Sequence, residues 1–346
     1  MRLSYTTYRL KCTYPFGISR SSNDYYDRVF IYLEQDGFIG RGEAAPSERY
    51  NESVPQILES LTSTIVLPEN VTNINEVIEI FNQYTSGISS FRSACINALF
   101  DWWTQKNNIS LQDYFNIAEK IKKPTSFTIA IGNINELAQK IDEAKDYKIL
   151  KVKLGTDKDK EIVSTIRKFT DKPIRVDANE GWDITTAIEM SGWLAERNVE
   201  LIEQPLPADD ISQMDELKDR SLLPLIADEN CHKSSDIDNL VNKFDGINIK
   251  FAKCGGIDEA LKMIMTAKKY NLKIMLGCMI ESSIGITAIA QFASQADYLD
   301  LDGNLLIDND PYSGLQIVSG IPVLPKDFGA GVNLKNDYQK IFPELR

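Results

Sequence analysis

The chain has 346 residues, 43% of them hydrophobic and 25% charged, a composition that excludes a disordered or fibrous protein and allows a large buried core. The 50 acidic residues outnumber the 38 basic ones to give a net charge of −12, which repels phosphate backbones and anionic lipid and argues against nucleic-acid binding. No apolar run reaches the roughly 18 residues of a membrane span, and Met1-Arg-Leu-Ser-Tyr lacks the core of a signal peptide, so a cytoplasmic location is expected.

In chain order, the first elements read as strands: Tyr5 to Tyr14, Asp27 to Glu34, and Phe38 to Glu43. Asp36-Gly37 between the last two is a hairpin signal. Helical patterns follow at Ser53 to Ile65, Ile74 to Tyr84 and Ser89 to Gln105, the last with a helix-spaced apolar face of Phe91, Ala94, Cys95, Ala98, Leu99 and Trp102. Strands first and helices afterwards suggest an α+β domain.

From Thr125 the pattern alternates. Short apolar runs at Phe127–Ile131, Ile149–Lys153, Ile174–Asp177, Glu200–Glu203, Pro224–Asp228, Gly246–Lys250, Lys273–Gly277 and Tyr298–Leu301 predict eight strands, the closing number of a parallel βα barrel. Helices are expected at Asn135–Lys145, Asp159–Phe169, Thr185–Arg197 and Ile257–Tyr270, with weaker signals after the fifth and seventh strands. The tail beyond Ser313 is rich in turns and is expected to return to the first domain.

Five dispersed cysteines without a Cys-x-x-Cys pair give no disulfide framework or thiolate zinc site. The single histidine, His232, leaves little room for imidazole-based hydrolysis and is expected to stand apart from the chemistry.

The chemistry lies in charges at the strand ends. Lys153, Asp177, Glu203, Asp228 and Lys250 follow one another at intervals of 24, 26, 25 and 22 residues, the period of successive βα units. Three carboxylates from adjacent strands offer hard oxygen donors suited to Mg²⁺. Alternatively, each caps a helix or pairs with a lysine. Lys151 and Lys153 alternate within a strand and project on one side. An ammonium group beside another and near a divalent cation loses stability, which would lower a lysine toward the range of a general base. The competing reading makes Lys151, Lys153, Lys250 and Lys253 ion-pair partners of the carboxylates. With a base on either side of a metal, the parts imply 1,1-proton transfer at the α-carbon of a carboxylate through a metal-stabilised enediolate.

Lys151-Val-Lys153, Val176-Asp-Ala-Asn179, Glu203-Gln-Pro205, Ala227-Asp-Glu229 and Asn248-Ile-Lys250-Phe-Ala-Lys253-Cys-Gly-Gly256 together resemble the enolase superfamily, muconate-lactonizing subgroup. The resemblance implies a modified TIM (β/α)7β-type α/β barrel at residues 121–315, an α+β capping domain at 1–120, and a segment at 316–346 returning to the cap. It also implies one Mg²⁺ on Asp177, Glu203 and Asp228, with Lys153 and Lys250 as the acid/base pair. Lys151 would bind the substrate carboxylate and depress the pKa of Lys153. Asn179, Glu229 and Lys253 would support the ligands from behind. Asn230 departs from the serine usual after this Asp-Glu pair.

Asp300-Leu-Asp302 resembles the Asp-x-Asp pair with which dipeptide epimerases hold a substrate α-ammonium group. A Ca²⁺ loop over Asp300 to Asp310 lacks the required offsets, whereas a plain turn or cap stays open. The loop Phe16-Gly-Ile-Ser-Arg20 resembles one that places an arginine against a glutamate side chain, with Arg49 as competitor. Thr128 and Met279 are expected to line the same pocket.

The expected activity is therefore epimerisation of a small dipeptide of the L-Ala-L-Glu/L-Ala-D-Glu type, tied to murein peptides. N-acylamino acid racemase, o-succinylbenzoate synthase or cycloisomerase activity is the alternative on this scaffold. A non-catalytic Mg²⁺-carboxylate module would not call for lysines on both faces, and a metal hydrolase would not call for paired bases. The sequence leaves a homo-oligomer open.

Overall fold

The computed structural model describes residues 1–346 except 86, 118, 341 and 343–346. Strands β1 (Arg2–Ile18), β2 (Ser21–Gln35) and β3 (Phe38–Ala44) form an antiparallel sheet in that order. The expected hairpin is present, with Asp36 and Gly37 both in the left-handed region at φ 55° and 80°, as a tight two-residue turn requires. The first strand is longer than its apolar pattern suggested because its ends are held by β2 rather than by burial of their own side chains.

Helices α1 (Val54–Thr62), α2 (Ile74–Tyr84) and α3 (Ser89–Lys106) follow. The predicted one-sided face of α3 is too narrow, because Ser90, Ser93, Ile96, Asn97, Phe100, Asp101 and Thr104 are buried as well. The helix is covered by β3 on one side and by the short helix Phe251–Cys254 of the barrel on another. Contact with β3 is backbone to backbone. A Cβ on Gly40 would stand 2.0 Å from the Ala98 carbonyl oxygen, and one on Gly42 1.9 Å from that of Ala94.

The eight strands β4 (Ser126–Ile129), β5 (Ile149–Lys153), β6 (Ile174–Asp177), β7 (Val199–Glu203), β8 (Leu225–Ala227), β9 (Gly246–Ile249), β10 (Lys273–Leu276) and β11 (Tyr298–Leu299) form one parallel sheet in sequential order. A parallel bridge from Thr125 to Leu299 brings the two edges together. The weak helix signal after the fifth strand has a cause: only the 3-10 segment Ser234–Asn239 forms there. After the seventh strand stands Ser283–Ala290, buried on every side, so no polar face marks its period in the sequence.

Side chains pointing into the barrel alternate along each strand. Leu201, Ile226 and Met275 make a small apolar cluster inside it. Two residues further along the first two of these strands come Glu203 and Asp228, and the interior turns polar. Just before the tail, the Tyr312 hydroxyl lies 2.7 Å from that of Tyr32 in the first sheet, and within the tail the Phe342 ring is 5.6 Å from that of Tyr8. Among the described residues no helix is long and apolar enough to cross a membrane.

Candidate active site

Strand register brings the charges together. Lys153 is paired with Asp177 across β5 and β6, and Asp177 with Glu203 across β6 and β7, so three charged ends stand side by side. Asp228 lies just past β8, and Lys250 just past β9. Asp177, Glu203, Asp228, Lys151, Lys153, Lys250 and Lys253 are all buried. Of these, Lys151, Lys153, Asp228 and Lys250 line the floor of a cavity of about 580 Å³ whose roof is the β1–β2 turn and the segment around Arg49 and Tyr50.

The lysines and carboxylates are paired. Lys153 Nζ donates to Asp177 Oδ2 at 2.6 Å and Lys250 Nζ to Asp228 Oδ2 at 2.6 Å. Lys151 Nζ bridges Asp177 Oδ2 at 3.0 Å, Glu203 Oε2 at 2.7 Å and Asp300 Oδ2 at 2.7 Å. Lys253 Nζ donates to Asp228 Oδ1 at 2.5 Å and to the carbonyls of Asp228 and Asn248. The ion-pair reading of the lysines thus describes where their side chains rest. Burial opposes the charge of Lys250, yet Asp228 and Glu203 outweigh it and, without a cation on the carboxylates, hold the group well above the usual lysine value. Lys151 is held up in the same way by Asp300, Glu203 and Asp177 against burial. Carboxylates exceed ammonium neighbours around each, so the lowering argued from sequence does not follow from the protein groups alone.

Among the carboxylates the pKa values spread apart. Burial, reinforced by Asp177, pushes Glu203 up to about 7. Asp228, though equally buried, is held well below the usual range by Lys250 and Lys253. Asp177 is likewise lowered against burial by Lys153 and Lys151.

Among the described residues no three His, Cys, Asp or Glu side chains stand close enough, as placed, to hold an ion together. The chemistry of the donor set nevertheless fits Mg²⁺. Four buried oxygens around these strand ends, Asn179 Oδ1, Glu203 Oε2, Glu229 Oε2 and Asn248 Oδ1, make no hydrogen bond; Lys151 lies close to Glu203 Oε2 but outside bonding geometry. All four are acceptors, and a buried acceptor without a partner is costly. A hard cation and its water shell would satisfy such a set.

Three residues present in the sequence motifs without an assigned role, Gln204, Asn230 and Asn248, hold the carboxylates in place. Gln204, at φ 37°, accepts from the backbone N–H of Asp228 at 3.0 Å and of Asn230 at 3.2 Å, and its amide donates to Leu206 and to Asn230 Oδ1. It ties the end of β7 to that of β8. Asn230, the departure from serine, completes this link by donating to the Ala208 carbonyl at 2.9 Å. Asn248 donates to Glu203 Oε1 at 2.7 Å. No sequence signal marks Gln204 for this role, since no propensity favours a glutamine in the left-handed conformation.

Opposite the carboxylate series, Asp300 Oδ2 takes Lys151 and Asp300 Oδ1 accepts from Ser126 Oγ at 2.8 Å. Asp302 Oδ2 accepts from the Thr128 N–H at 2.6 Å. Burial and the charge of Asp300 push Asp302 up to about 7. Thr128, Met279, Asp300 and Asp302 all line the cavity, as does Cys278, which was not anticipated. Arg20 lines it too, but its guanidinium donates to Glu229 Oε1 at 2.8 Å and to the Asn179 carbonyl at 2.9 Å. Arg49 is engaged by Glu180 through two bonds of 2.7 Å. Phe16 sits over Lys153 with its ring centre 5.9 Å from Nζ. His232 bonds the Glu229 carbonyl and meets the edge of the Tyr50 ring.

A sheet domain covering the mouth of a parallel barrel, with carboxylates gathered between lysines at the strand ends, defines a capped-barrel isomerase-type site. The chain belongs to the enolase superfamily: residues 133–338 match the family described as enolase C-terminal domain-like, and residues 3–115 match the mandelate racemase/muconate lactonizing enzyme N-terminal domain. It is 36% identical over 338 residues to an L-Ala-D/L-amino acid epimerase of Flavobacterium johnsoniae, covering 96% of this chain and 100% of that protein. It is 33% identical over 335 residues to an L-Ala-D/L-Glu epimerase of Bacteroides thetaiotaomicron, covering 96% and 88%. Its fold matches the crystal structure of a dipeptide epimerase from Cytophaga hutchinsonii complexed with Mg and the dipeptide D-Ala-L-Val, with TM-score 0.90, 27% identity, and 98% and 96% of the two chains covered.

Proposed function

We propose that the protein is a Mg²⁺-dependent dipeptide epimerase that inverts the α-carbon of the C-terminal residue, with L-Ala-L-Glu and L-Ala-D-Glu the first pair to test. The observation that carries this reading is the flanking of the carboxylate series by two ammonium groups, Lys153 on Asp177 and Lys250 on Asp228, each at 2.6 Å. One base removes an α-proton; a second on the other side returns it with inversion.

Asp177, Glu203 and Asp228 would hold Mg²⁺, which when bound supplies positive charge for the substrate carboxylate and competes with the lysines for these oxygens. Lys151 helps to hold the substrate carboxylate. Lys153 and Lys250 exchange the proton at the α-carbon from opposite faces. Asp300 and Asp302 receive the α-ammonium group. Asp300 is already matched by Lys151, so Asp302, raised to about 7, is the group that gains most from an added cation. An N-acyl substrate has no cation to offer there. Arg20 faces the side chain of the C-terminal residue, and Thr128 and Met279 shape the wall. Asn179, Glu229 and Lys253 back the metal-binding carboxylates. Such a substrate suits turnover of murein peptides in the cytoplasm.

The test is incubation with Mg²⁺ and a panel of dipeptides, led by L-Ala-L-Glu, with the stereoisomers resolved by chiral chromatography. Approach to the same L,L/L,D mixture from either side supports the assignment. No conversion of any dipeptide, or faster conversion of N-acylated amino acids, overturns it.

A further inference from the structure

Two arginines from separate loops of the cap end on one barrel carboxylate. Arg20 occupies the turn between β1 and β2, and Arg49 the one-turn helix Glu48–Tyr50. Arg49 grips Glu180 with both arms, Nε to Oε2 and Nη2 to Oε1, each at 2.7 Å. Arg20 Nη1 reaches the same Oε2 at 3.2 Å. From the barrel side, the N–H of Ala208, beyond β7, donates to Glu180 Oε1 at 2.8 Å. The Glu180 side chain is only 10% exposed. It therefore joins both roof loops to the segments following β6 and β7.

The backbone is bent to present it. Asn179 and Glu180 both take left-handed conformations, at φ 43° and 67°, which non-glycine side chains rarely adopt in succession. The carbonyl exposed by this bend is met by the cap as well, accepting from Ser19 Oγ at 2.7 Å and Arg20 Nη1 at 2.9 Å. Isolated surface ion pairs contribute little. A bidentate arginine, a second arginine and a backbone N–H converging on one largely buried carboxylate form a geometrically specific junction. Arg20, Arg49 and Tyr50 are themselves cavity wall, so whatever holds these loops down also closes the chamber in which the α-proton moves.

We propose that Glu180 is a positioning residue, the barrel carboxylate on which both cap loops converge, and that together with the contacts of Ser19 and Arg20 to Glu229 and the Asn179 carbonyl it holds the loops closed and so sets how well the site retains its dipeptide. The second half of the statement rests on the epimerase reading; the first does not. Substrate access requires the loops to part, which breaks the arginine contacts to Glu180, and closure restores them. Loss of the carboxylate loosens both loops at once, whereas loss of Arg49 loosens one.

The test uses the full chain with Mg²⁺, with Glu180→Gln and Arg49→Gln singly and together. Glutamine keeps the size of Glu180 and an oxygen for the Ala208 N–H, but removes the charge. Hydrogen–deuterium exchange read by mass spectrometry should quicken in residues 16–24 and 46–53 of Glu180→Gln while the barrel strands keep wild-type protection. In Arg49→Gln it should quicken chiefly in 46–53, and the double variant should exchange no faster there than Glu180→Gln alone. With a dipeptide that is turned over, Glu180→Gln should raise KM about tenfold and change kcat by less than about threefold, the split expected when binding rather than chemistry is weakened. Unchanged exchange in either loop of Glu180→Gln, or effects of the two substitutions that multiply as for independent sites, overturns the proposal. The exchange experiment decides the loop anchor by itself; failure of the wild-type protein to turn over any dipeptide counts against the epimerase reading alone.

Discussion

Removing one lysine should silence exchange from one stereoisomer and spare it from the other. The perturbation is Lys250→Ala, with Lys153→Ala as its mirror. Each lysine is buried against a carboxylate, and stripping a buried charge of its only partner costs about 3–5 kcal/mol. Neither substitution does that here. Without Lys250, Asp228 keeps Lys253 at 2.5 Å; without Lys153, Asp177 keeps Lys151 at 3.0 Å. The stability loss should therefore stay below that range, about 1–3 kcal/mol, and the variants should fold. The chemical loss is larger: a positioned general base contributes about 10²–10⁴-fold to rate. The assay is exchange of the α-proton with D₂O, followed by NMR separately from the L,L and L,D dipeptides. Epimerisation should fall in both variants, while exchange without inversion should persist from opposite stereoisomers in the two. Equal loss of exchange from both stereoisomers in each variant would refute the assignment of one base to each face.

Asp302 is raised to about 7, so it takes up a proton as pH falls through 7 and ceases to attract an α-ammonium group; kcat/KM for dipeptides should fall on that acidic side, and Asp302→Asn should lower activity at pH 8 and flatten this limb. Glu203→Gln should weaken Mg²⁺ binding by at least about tenfold in titration calorimetry, because a buried carboxylate in the donor set is lost; unchanged affinity would remove Glu203 from the ligands. Glu43, raised to about 8 by burial and Glu281, binds a proton in the fold over a range where the unfolded chain has released it. Its contribution to stability is therefore lost as pH rises from about 4.5 to 8, and melting curves of Glu43→Gln should show a shallower decline across that window than wild type.

Much of the site was legible because the barrel repeats. A strand-end charge every 22 to 26 residues carries its own register, and Lys153, Asp177 and Glu203 pair across their strands as that spacing implied. Less visible were contacts between segments far apart in the chain. Arg28 donates through two nitrogens to the Ile280 carbonyl, 252 residues away, and Glu43 accepts from the N–H groups of Ser282 and Gly285 at the start of a barrel helix. No local pattern distinguishes such an arginine or glutamate from a surface one. The partners of Arg20 and Arg49 were hidden for the same reason, since neither of the two left-handed residues of that loop, Asn179 and Glu180, is a glycine.

The central claim is α-proton transfer on a dipeptide. Its most direct test is incubation of the wild-type protein with Mg²⁺ and L-Ala-L-Glu in D₂O, with the glutamate α-proton followed by NMR and the product stereochemistry assigned. The α-proton signal should disappear as L-Ala-D-Glu accumulates carrying deuterium at that carbon, and chelation of the metal should stop both. Retention of the α-proton across L-Ala-L-Glu and a broad set of other dipeptides would contradict it.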